Sequence, residues 1–180
     1  MKVGVLALQG AFREHAEAFD ALGAQATRVR YPEQLESLDA IVLPGGESTT
    51  ITKLLVANDL LEPLRACLHA GLPAFGTCAG LILLANQFGV LDAKVTRNGY
   101  GTQRDSFETP LAIAGLDGPF TGVFIRAPVV ESVGPAVEVL AAHQDQPVLV
   151  RAGGVWASTF HPELAHDLRV HASFLKEVAA

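Results

Sequence analysis

The first half of the sequence alternates short apolar runs with segments whose apolar residues recur at helical spacing. The apolar runs cover residues 2–7, 26–29, 40–43 and 73–75. Between them, one helix face carries Phe12, Ala16, Phe19 and Leu22, and another carries Leu61, Leu64 and Leu68. This alternation predicts a three-layer α/β fold, in which helices cover both faces of a mostly parallel central sheet.

The second half of the sequence has a different pattern. Strand-like runs follow one another over residues 122–126, 137–142, 147–150 and 155–159, and Gly153-Gly154 suits a hairpin turn. Val170, Phe174 and Val178 then mark one face of a closing helix. We therefore expect an antiparallel portion added to the parallel sheet. Because no internal repeat, low-complexity tract or linker is visible, residues 1–180 are predicted to form a single domain.

Charge and hydropathy argue against two kinds of partner. The net charge is −6 and the 13 Lys and Arg residues are scattered, so no basic surface is expected for nucleic acid. No apolar stretch approaches the roughly 20 residues of a membrane helix. The N-terminal apolar run is too short for a signal peptide. These features predict a cytoplasmic protein with neither a nucleic-acid nor a membrane partner.

One pentapeptide has the features of a nucleophile. Gly-Thr-Cys-Ala-Gly, at residues 76–80, joins the apolar run 73–75 to a helix-like run. In the related G-x-S-x-G elbow, flanking glycines tolerate a sharp strand-to-helix turn that lifts the nucleophile to the carboxyl edge of the sheet. The free N–H groups of the following helix favour a thiolate. We therefore predict that Cys78 is a nucleophile, whereas the second cysteine, Cys67, lies on a leucine-rich helix and is expected to serve packing.

A base for this nucleophile follows the last strand-like run, in the segment Phe-His-Pro-Glu at residues 160–163. Residues two apart in an extended chain point the same way, and Pro162 keeps the chain extended at His161. His161 and Glu163 are therefore expected to face one cleft. Glu163 would accept a hydrogen bond from one ring nitrogen of His161 while the other nitrogen meets Cys78, as in a catalytic triad.

The remaining histidines have no such context. His15, His69, His166 and His171 are assigned to helices rich in charged residues, so we expect them to be solvated. His143 ends a strand, and its role is left open. Since the cysteines and histidines lack the paired spacing of a zinc site, no metal ion is expected.

A third candidate segment is Pro-Gly-Gly-Glu-Ser-Thr at residues 44–49, a loop that joins a strand to a helix. Its glycines allow backbone N–H groups to approach an oxyanion, with the N–H of Ala79 as a second donor. Without the elbow and the His-Pro-Glu segment, a Gly-Gly pair would be better explained as a simple turn. The loop lacks the Gly-Lys-Ser or Gly-Lys-Thr ending of a phosphate-binding loop, so a nucleotide is not expected there.

The elbow at residues 76–80 together with His161-Pro162-Glu163 resembles the class I, triad-type glutamine amidotransferases. Six segments narrow the resemblance to the glutaminase subunits of pyridoxal 5'-phosphate synthase: residues 8–11, 44–49, 97–98, 106–108, 124–128 and 160–164. They span nearly the whole chain in the expected order. The resemblance implies a flavodoxin-like class I glutaminase architecture. It also implies an enzyme that hydrolyses glutamine to glutamate and ammonia without a cofactor.

The resemblance also implies roles for individual residues. Cys78 would form a glutamyl thioester, His161 would protonate the leaving ammonia, and Glu163 would orient His161. The N–H groups of Gly46 and Ala79 would form the oxyanion hole. The residues implied to hold L-glutamine are Gly46, Glu47, Ser48, Arg97, Ile125 and Arg126.

Charge complementarity to the α-carboxylate of glutamine gives the two arginines of this set a physical role. Backbone contacts equally explain the Ile125-Arg126 pair, and without the resemblance a surface or interface ion pair is an equally good interpretation of both arginines. The connection from Gln87 to Thr96 is shorter than in many relatives, which affects the geometry before Arg97 rather than the triad.

The resemblance further implies a partner. Ammonia would pass through a tunnel to a separate synthase subunit that builds the vitamin B6 cofactor, and Gln9 is a candidate for contact with that subunit. Three alternatives remain open: a peptidase-like cysteine hydrolase, a catalytically silent regulatory subunit, and a self-contained amidotransferase. The peptidase-like hydrolases place His directly after Cys, where this chain has Ala79. A silent regulatory subunit should have lost part of the triad, which is complete here. A self-contained amidotransferase needs a synthase domain, for which 180 residues leave no room.

Overall fold

The computed structural model describes residues 1–97 and 106–180. The strands in chain order are β1 Lys2–Leu6, β2 Gln25–Val29, β3 Ala40–Leu43, β4 Ala74–Thr77, β5 Ala93–Thr96, β6 Phe107–Leu111, β7 Phe120–Phe124, β8 Val129–Val133, β9 Glu138–His143, β10 Gln146–Ala152 and β11 Val155–Ser158. The α-helices are α1 Phe12–Ala21, α2 Ser48–Ala57, α3 Leu61–His69, α4 Ala79–Ile82 and α5 Arg169–Val178. A π-helical turn, Leu83–Gln87, continues α4, and 3-10 turns cover Pro32–Leu35 and Pro162–Leu164.

The described residues form a seven-stranded central sheet in the order β2-β1-β3-β4-β11-β10-β9. The first five strands are parallel, and β10 and β9 extend the sheet in antiparallel orientation. The predicted α/β fold with an added antiparallel portion is thereby confirmed. Parallel strands in this flavodoxin-like order place a ligand at their carboxyl ends, where the strand order reverses.

Helices cover both faces of the sheet, as β3 shows most clearly. Ile41 and Leu43 belong to the core that includes the leucines of α2 and α3. The alternate residue Val42 packs in the second core, with Phe19 of α1 and Phe174 of α5. Since successive side chains of a strand point to opposite faces, α2 and α3 lie on one side of the sheet and α1 and α5 on the other.

Two small antiparallel sheets, β5 with β8 and β6 with β7, were only partly visible in the sequence. In β6, exposed residues alternate with residues that are half-buried or, at Leu111, buried, so this strand has no continuous apolar run. The run at residues 122–126 was placed too far along the chain, because β7 ends at Phe124 and Arg126 has a left-handed backbone with φ of 44°. Asn98 of the 97–98 segment lies outside the described residues.

The helices of the described residues are all too short or too polar to cross a membrane.

Candidate active site

Cys78 occupies a strained turn between β4 and α4. Its φ of 50° and ψ of −101° lie in a region that residues with a side chain rarely adopt. The N–H of Cys78 donates to the carbonyl of Ser158 at 2.8 Å, so the turn is fastened to the end of β11. Such strain is typical of a nucleophile elbow, in which the surrounding sheet holds the side chain at the strand ends.

The two glycines of the elbow serve a different purpose from the one predicted. Neither has a positive φ, and the left-handed residue is Cys78 itself. A Cβ on Gly80 would overlap the carbonyl of Leu43, and a Cβ on Gly76 would lie 2.6 Å from the backbone carbon of Gly80. The glycines therefore allow α4 to pack directly against β3 and β4 instead of supplying the turn.

His161 and Glu163 form a buried pair beside the elbow. His161 Nδ1 lies 2.7 Å from Glu163 Oε1, and the Glu163 side chain is completely buried. The two residues meet because Glu163 lies on the 3-10 turn Pro162–Leu164, rather than because the chain stays extended. The expectation that both side chains face the cleft is wrong, since His161 lines it and Glu163 lies behind the ring.

The charges of this pair are coupled to Cys78. Burial would by itself lower the pKa of His161, but hydrogen bonds with Cys78 and Glu163, and their charges, raise it to about 10. Burial likewise opposes a charge on Glu163, yet the hydrogen bond from His161 and the positive charge of that ring hold the pKa of this carboxyl below its usual value. An imidazolium between a carboxylate and a thiolate is the arrangement that activates a cysteine for attack.

The loop at residues 44–49 lies between the ends of β1 and β4. The N–H of Gly45 donates to Thr77 Oγ1 at 3.0 Å, and its carbonyl accepts from the N–H of Ala11 at 3.0 Å. The N–H of Glu47 donates to Gln9 Oε1 at 2.8 Å. Because the N–H of Gly45 is engaged, an oxyanion role for this loop falls to Gly46.

A pocket of about 360 Å³ opens beside Cys78. It brings together every residue assigned above to substrate binding, the oxyanion hole or the nucleophile and base, and it also contains Gln9. Ile82 and Pro128 complete the lining. Pro128 ends the 124–128 segment noted in the sequence, whereas no signal in the sequence singled out Ile82. The roles of all these residues stay predictions, but the structure gathers them around one cleft.

Two charged residues at the rim contact each other and α2. The carboxylate of Glu47 accepts from the N–H groups of Thr49 and Thr50 at 3.0 and 2.6 Å, so it caps α2. Its hydrogen bonds with Thr50 and Thr49 lower the pKa of Glu47 to about 2. Arg97 donates to Thr49 Oγ1 at 2.7 Å and lies 3.9 Å from Glu47 Oε1. A positive side chain therefore stands at the mouth of the pocket.

The Ile125-Arg126 segment also lines the pocket. The Cys78 thiol lies within reach of the Ile125 carbonyl, at 3.9 Å from Sγ. Arg126 has the left-handed φ of 44° noted above. A strained backbone next to a nucleophile is consistent with a backbone contribution to the site, which was one of the two roles considered for this pair.

The expectation that His15 and His171 are solvated is wrong, because both side chains are completely buried. Helices α1 and α5 carry charge on their outer faces, but these two histidines point inwards. A signal was present: His15 lies four residues before Phe19, and His171 three residues before Phe174, so each shares the apolar stripe of its helix.

The other residues set aside from the sequence lie away from the pocket. His69 and His166 are exposed, although His166 lies in a loop with φ of 53° and not on a helix. His143 packs against the rings of Phe107 and Phe124. Cys67 is half-buried against the core. Within residues 1–97 and 106–180, no group of three His, Cys, Asp or Glu side chains is arranged to hold a metal ion.

Comparison with known proteins gives consistent results. A profile of the SNO glutamine amidotransferase family matches residues 5–180. A pyridoxal 5'-phosphate synthase subunit PdxT from Moorella thermoacetica is 50% identical over 187 residues, which cover 99% of this chain and 100% of the relative. The PdxT protein of Parafrankia sp. is 53% identical over 188 residues, covering 98% of this chain and 93% of the relative. A crystal structure described as a glutamine amidotransferase superposes with a TM-score of 0.92 at 52% identity, covering 99% of both chains.

Proposed function

Because the chain belongs to the SNO glutamine amidotransferase family, we propose that it is the glutaminase subunit of a pyridoxal 5'-phosphate synthase and forms one domain over residues 1–180. Relatives that match almost the whole chain at 50% and 53% identity carry the name of that subunit. The observation that carries the proposal is the buried contact of 2.7 Å between His161 and Glu163, placed beside Cys78 at one pocket. A silent regulatory subunit has no need of this arrangement.

The first half of the reaction uses the thiolate of Cys78. Its sulfur attacks the side-chain carboxamide carbon of glutamine, and the N–H groups of Gly46 and Ala79 hold the resulting oxyanion. His161 then gives its proton to the amide nitrogen, so that ammonia leaves and a glutamyl thioester remains. Throughout this step Glu163 accepts a hydrogen bond from His161 Nδ1 and so keeps Nε2 directed at the reacting atoms.

The second half restores the enzyme. A water molecule gives its proton to His161 and attacks the thioester carbon, again forming an oxyanion beside Gly46 and Ala79. Collapse of this intermediate breaks the carbon–sulfur bond, releases glutamate and returns Cys78 to the thiolate. Ammonia carries the nitrogen that is released from the side-chain carboxamide, and we assign its transfer to a separate synthase subunit in the cytoplasm.

Substrate specificity is assigned to the rim of the pocket. Arg97 stands at the mouth, where its guanidinium complements the α-carboxylate of glutamine. Glu47 caps α2 and Ser48 is its first residue, and the backbone at Ile125-Arg126 lines the same pocket. A volume of about 360 Å³ suits a single amino acid, since small-molecule pockets start at about 300 Å³.

A glutamine analogue with a diazo-ketone group tests the nucleophile and its base. We expect the analogue to alkylate Cys78 alone, found by peptide mass mapping. Because the pKa of His161 is raised to about 10, the imidazolium persists until the pH rises through that value. Labelling of the wild type should therefore stay level through neutral and mildly alkaline pH.

Two variants serve as controls for the labelling experiment. His161→Ala should label slowly, because the thiol has lost its base, whereas Glu163→Gln should slow labelling less, because it only loosens the orientation of the ring. Equal rates in the wild type and both variants would show that no triad operates.

Activity is expected to depend on the synthase subunit. The carbonyl of Gly45 accepts from the N–H of Ala11, so a partner that contacts the chain near Gln9 can change the orientation of the Gly45-Gly46 peptide with little steric cost. Completing the oxyanion hole in this way accelerates ammonia release by about 10² to 10³. Steady-state ammonia release is measured with and without stoichiometric synthase.

A variant with a bulky residue at position 46 distinguishes this switch from other causes of activation. A Cβ on Gly46 would meet the Gln9 side chain, 3.1 Å from its Cδ atom. Gly46→Val should therefore lose most of the activation while still binding the synthase. If the isolated wild-type chain already works at the rate of the complex, no switch exists, although the triad assignment would stand.

A further inference from the structure

We propose that His15 is a positioning residue of the triad. Through one shared N–H, His15 holds Glu163 and the Gly45 loop together, and His171 fixes the tautomer of His15. The proposal rests on the glutaminase function proposed above. It assigns a role to two buried histidines that neither line the pocket nor belong to the triad.

The geometry places His15 at the back of Glu163. His15 Nε2 lies 3.3 Å from Glu163 Oε2, and both side chains are completely buried. Within the described part of the chain, this carboxylate oxygen has no well-aligned hydrogen bond. A buried anionic oxygen without a donor is costly, so the nearby ring nitrogen is the group that compensates it.

The same nitrogen connects to the oxyanion loop. His15 Nε2 lies 3.0 Å from Thr77 Oγ1, which accepts the N–H of Gly45 at 3.0 Å. Thr77 directly precedes Cys78 in the chain. A proton on His15 Nε2 is therefore directed at Thr77 and lies beside Glu163. The His15 ring thus contacts the carboxylate that orients His161, the residue before Cys78 and, through Thr77, the loop at residues 44–49.

The tautomer of His15 follows from the second ring. His15 Nδ1 lies 3.0 Å from His171 Nε2, so one of these two nitrogens donates and the other accepts. His171 Nδ1 is buried and has no partner among the described residues. A buried lone pair is tolerated better there than a buried N–H, so the proton of His171 belongs on Nε2. His171 then donates to His15 Nδ1, which leaves the proton of His15 on Nε2.

Both rings are neutral in this arrangement. Burial lowers the pKa of His171 to about 3, and burial also lowers the pKa of His15 despite the charge of Glu163 beside it. The titratable groups that face His15 are Glu163, His161, His171 and Glu14. Two neutral rings leave the single positive charge of the network on His161, where the reaction uses it.

A kinetic comparison tests the positioning role in the full chain with saturating synthase subunit. His15→Leu keeps the size of the side chain and removes the donor, so kcat should fall about 10- to 100-fold, the range for a lost hydrogen bond to a charged group. KM should stay unchanged, because His15 does not line the pocket. His15→Gln carries an N–H donor of similar reach and should recover most of kcat.

Phe174→Leu is the matched structural control. Phe174 packs in the same buried ring cluster, against Phe19 and Phe75, but makes no hydrogen bond to the network. It should lower the melting temperature and leave kcat unchanged. A folded His15→Leu protein with wild-type kcat, or equal losses in His15→Leu and His15→Gln, would overturn the positioning role.

Nitrogen-15 spectra of the histidine-labelled wild type separate this inference from the proposed function. We expect His15 and His171 to be neutral with the proton on Nε2, and His161 to be doubly protonated, at neutral pH. A proton on Nδ1 of His15, or a charged His15, would refute the inference even if the protein is a glutaminase. Absence of glutaminase activity in the wild-type complex would refute the proposed function and, with it, the role that rests on it.

Discussion

Cys78→Ala should abolish ammonia release from glutamine, with a loss of about 10⁴-fold or more, since no other group can form the thioester. The substitution removes one sulfur atom from a side chain that is 7% exposed. Ala also lacks the bulk that would disturb the turn, so the melting temperature should change little. The measurement is steady-state ammonia release by the folded variant in the presence of synthase.

Cys67→Ala is the control for the loss of a thiol. Cys67 packs against the core from α3, far from the pocket lining. Its replacement should leave most of the activity and lower stability slightly. Full activity in folded Cys78→Ala would end the nucleophile assignment, and a comparable loss in Cys67→Ala would show that the two cysteines were wrongly separated.

The fold was predictable because its signals are local and repeated. Most strands of the parallel sheet contain a short apolar run, and the helices between them carry a regular apolar stripe. The strands that escaped prediction, such as β5 and β6, are half-exposed and short. Their position depends on pairing with β8 and β7, which is a tertiary contact that a window of sequence does not contain.

The reacting groups of the site were predictable for a similar reason. Cys78 is marked by its strand-to-helix junction, and His161 and Glu163 are neighbours in the chain. The support behind them was not predictable, because His15 and His171 are 156 residues apart in sequence and meet only in the folded protein. The charged residues near His15 in the sequence led to the prediction that it is solvated. In the structure it lies on the apolar face of α1 and is therefore buried.

The structure also corrects the physical reason given for the glycines. The sequence predicted that glycines at the elbow tolerate a sharp turn and that glycines in the loop let backbone N–H groups approach an oxyanion. In the structure they provide space: Gly80 lies against the carbonyl of Leu43, and Gly45 lies against the His161 ring. Which group lies against a glycine depends on the element that packs beside it in the folded protein. The sequence therefore shows where the glycines are but not what they contact.

Gly45→Ala should therefore inactivate the enzyme without unfolding it. A Cβ at this position would overlap His161 Cε1 and lie 3.3 Å from the Cβ of Cys78. The backbone of Gly45 has no positive φ, so Ala fits it without strain. The imidazole must move instead, and since a misplacement of about 1 Å can cost about 10² in rate, and loss of a general base about 10² to 10⁴, we expect a loss of about 10³-fold.

Gly154→Ala is the matched control, because a Cβ there would make only ordinary contacts, at 3.5 Å, with Pro73. This variant should keep full activity. Gly45→Ala should keep a cooperative thermal transition, yet release ammonia slowly and react slowly with the diazo-ketone analogue. Since Gly45 itself contributes no reacting group, a loss of both reactions confined to Gly45→Ala would indicate that the catalytic groups it lies against, His161 first and Cys78 beside it, have been displaced. Normal ammonia release by a folded Gly45→Ala protein would instead mean that His161 does not work from the position it has against this loop.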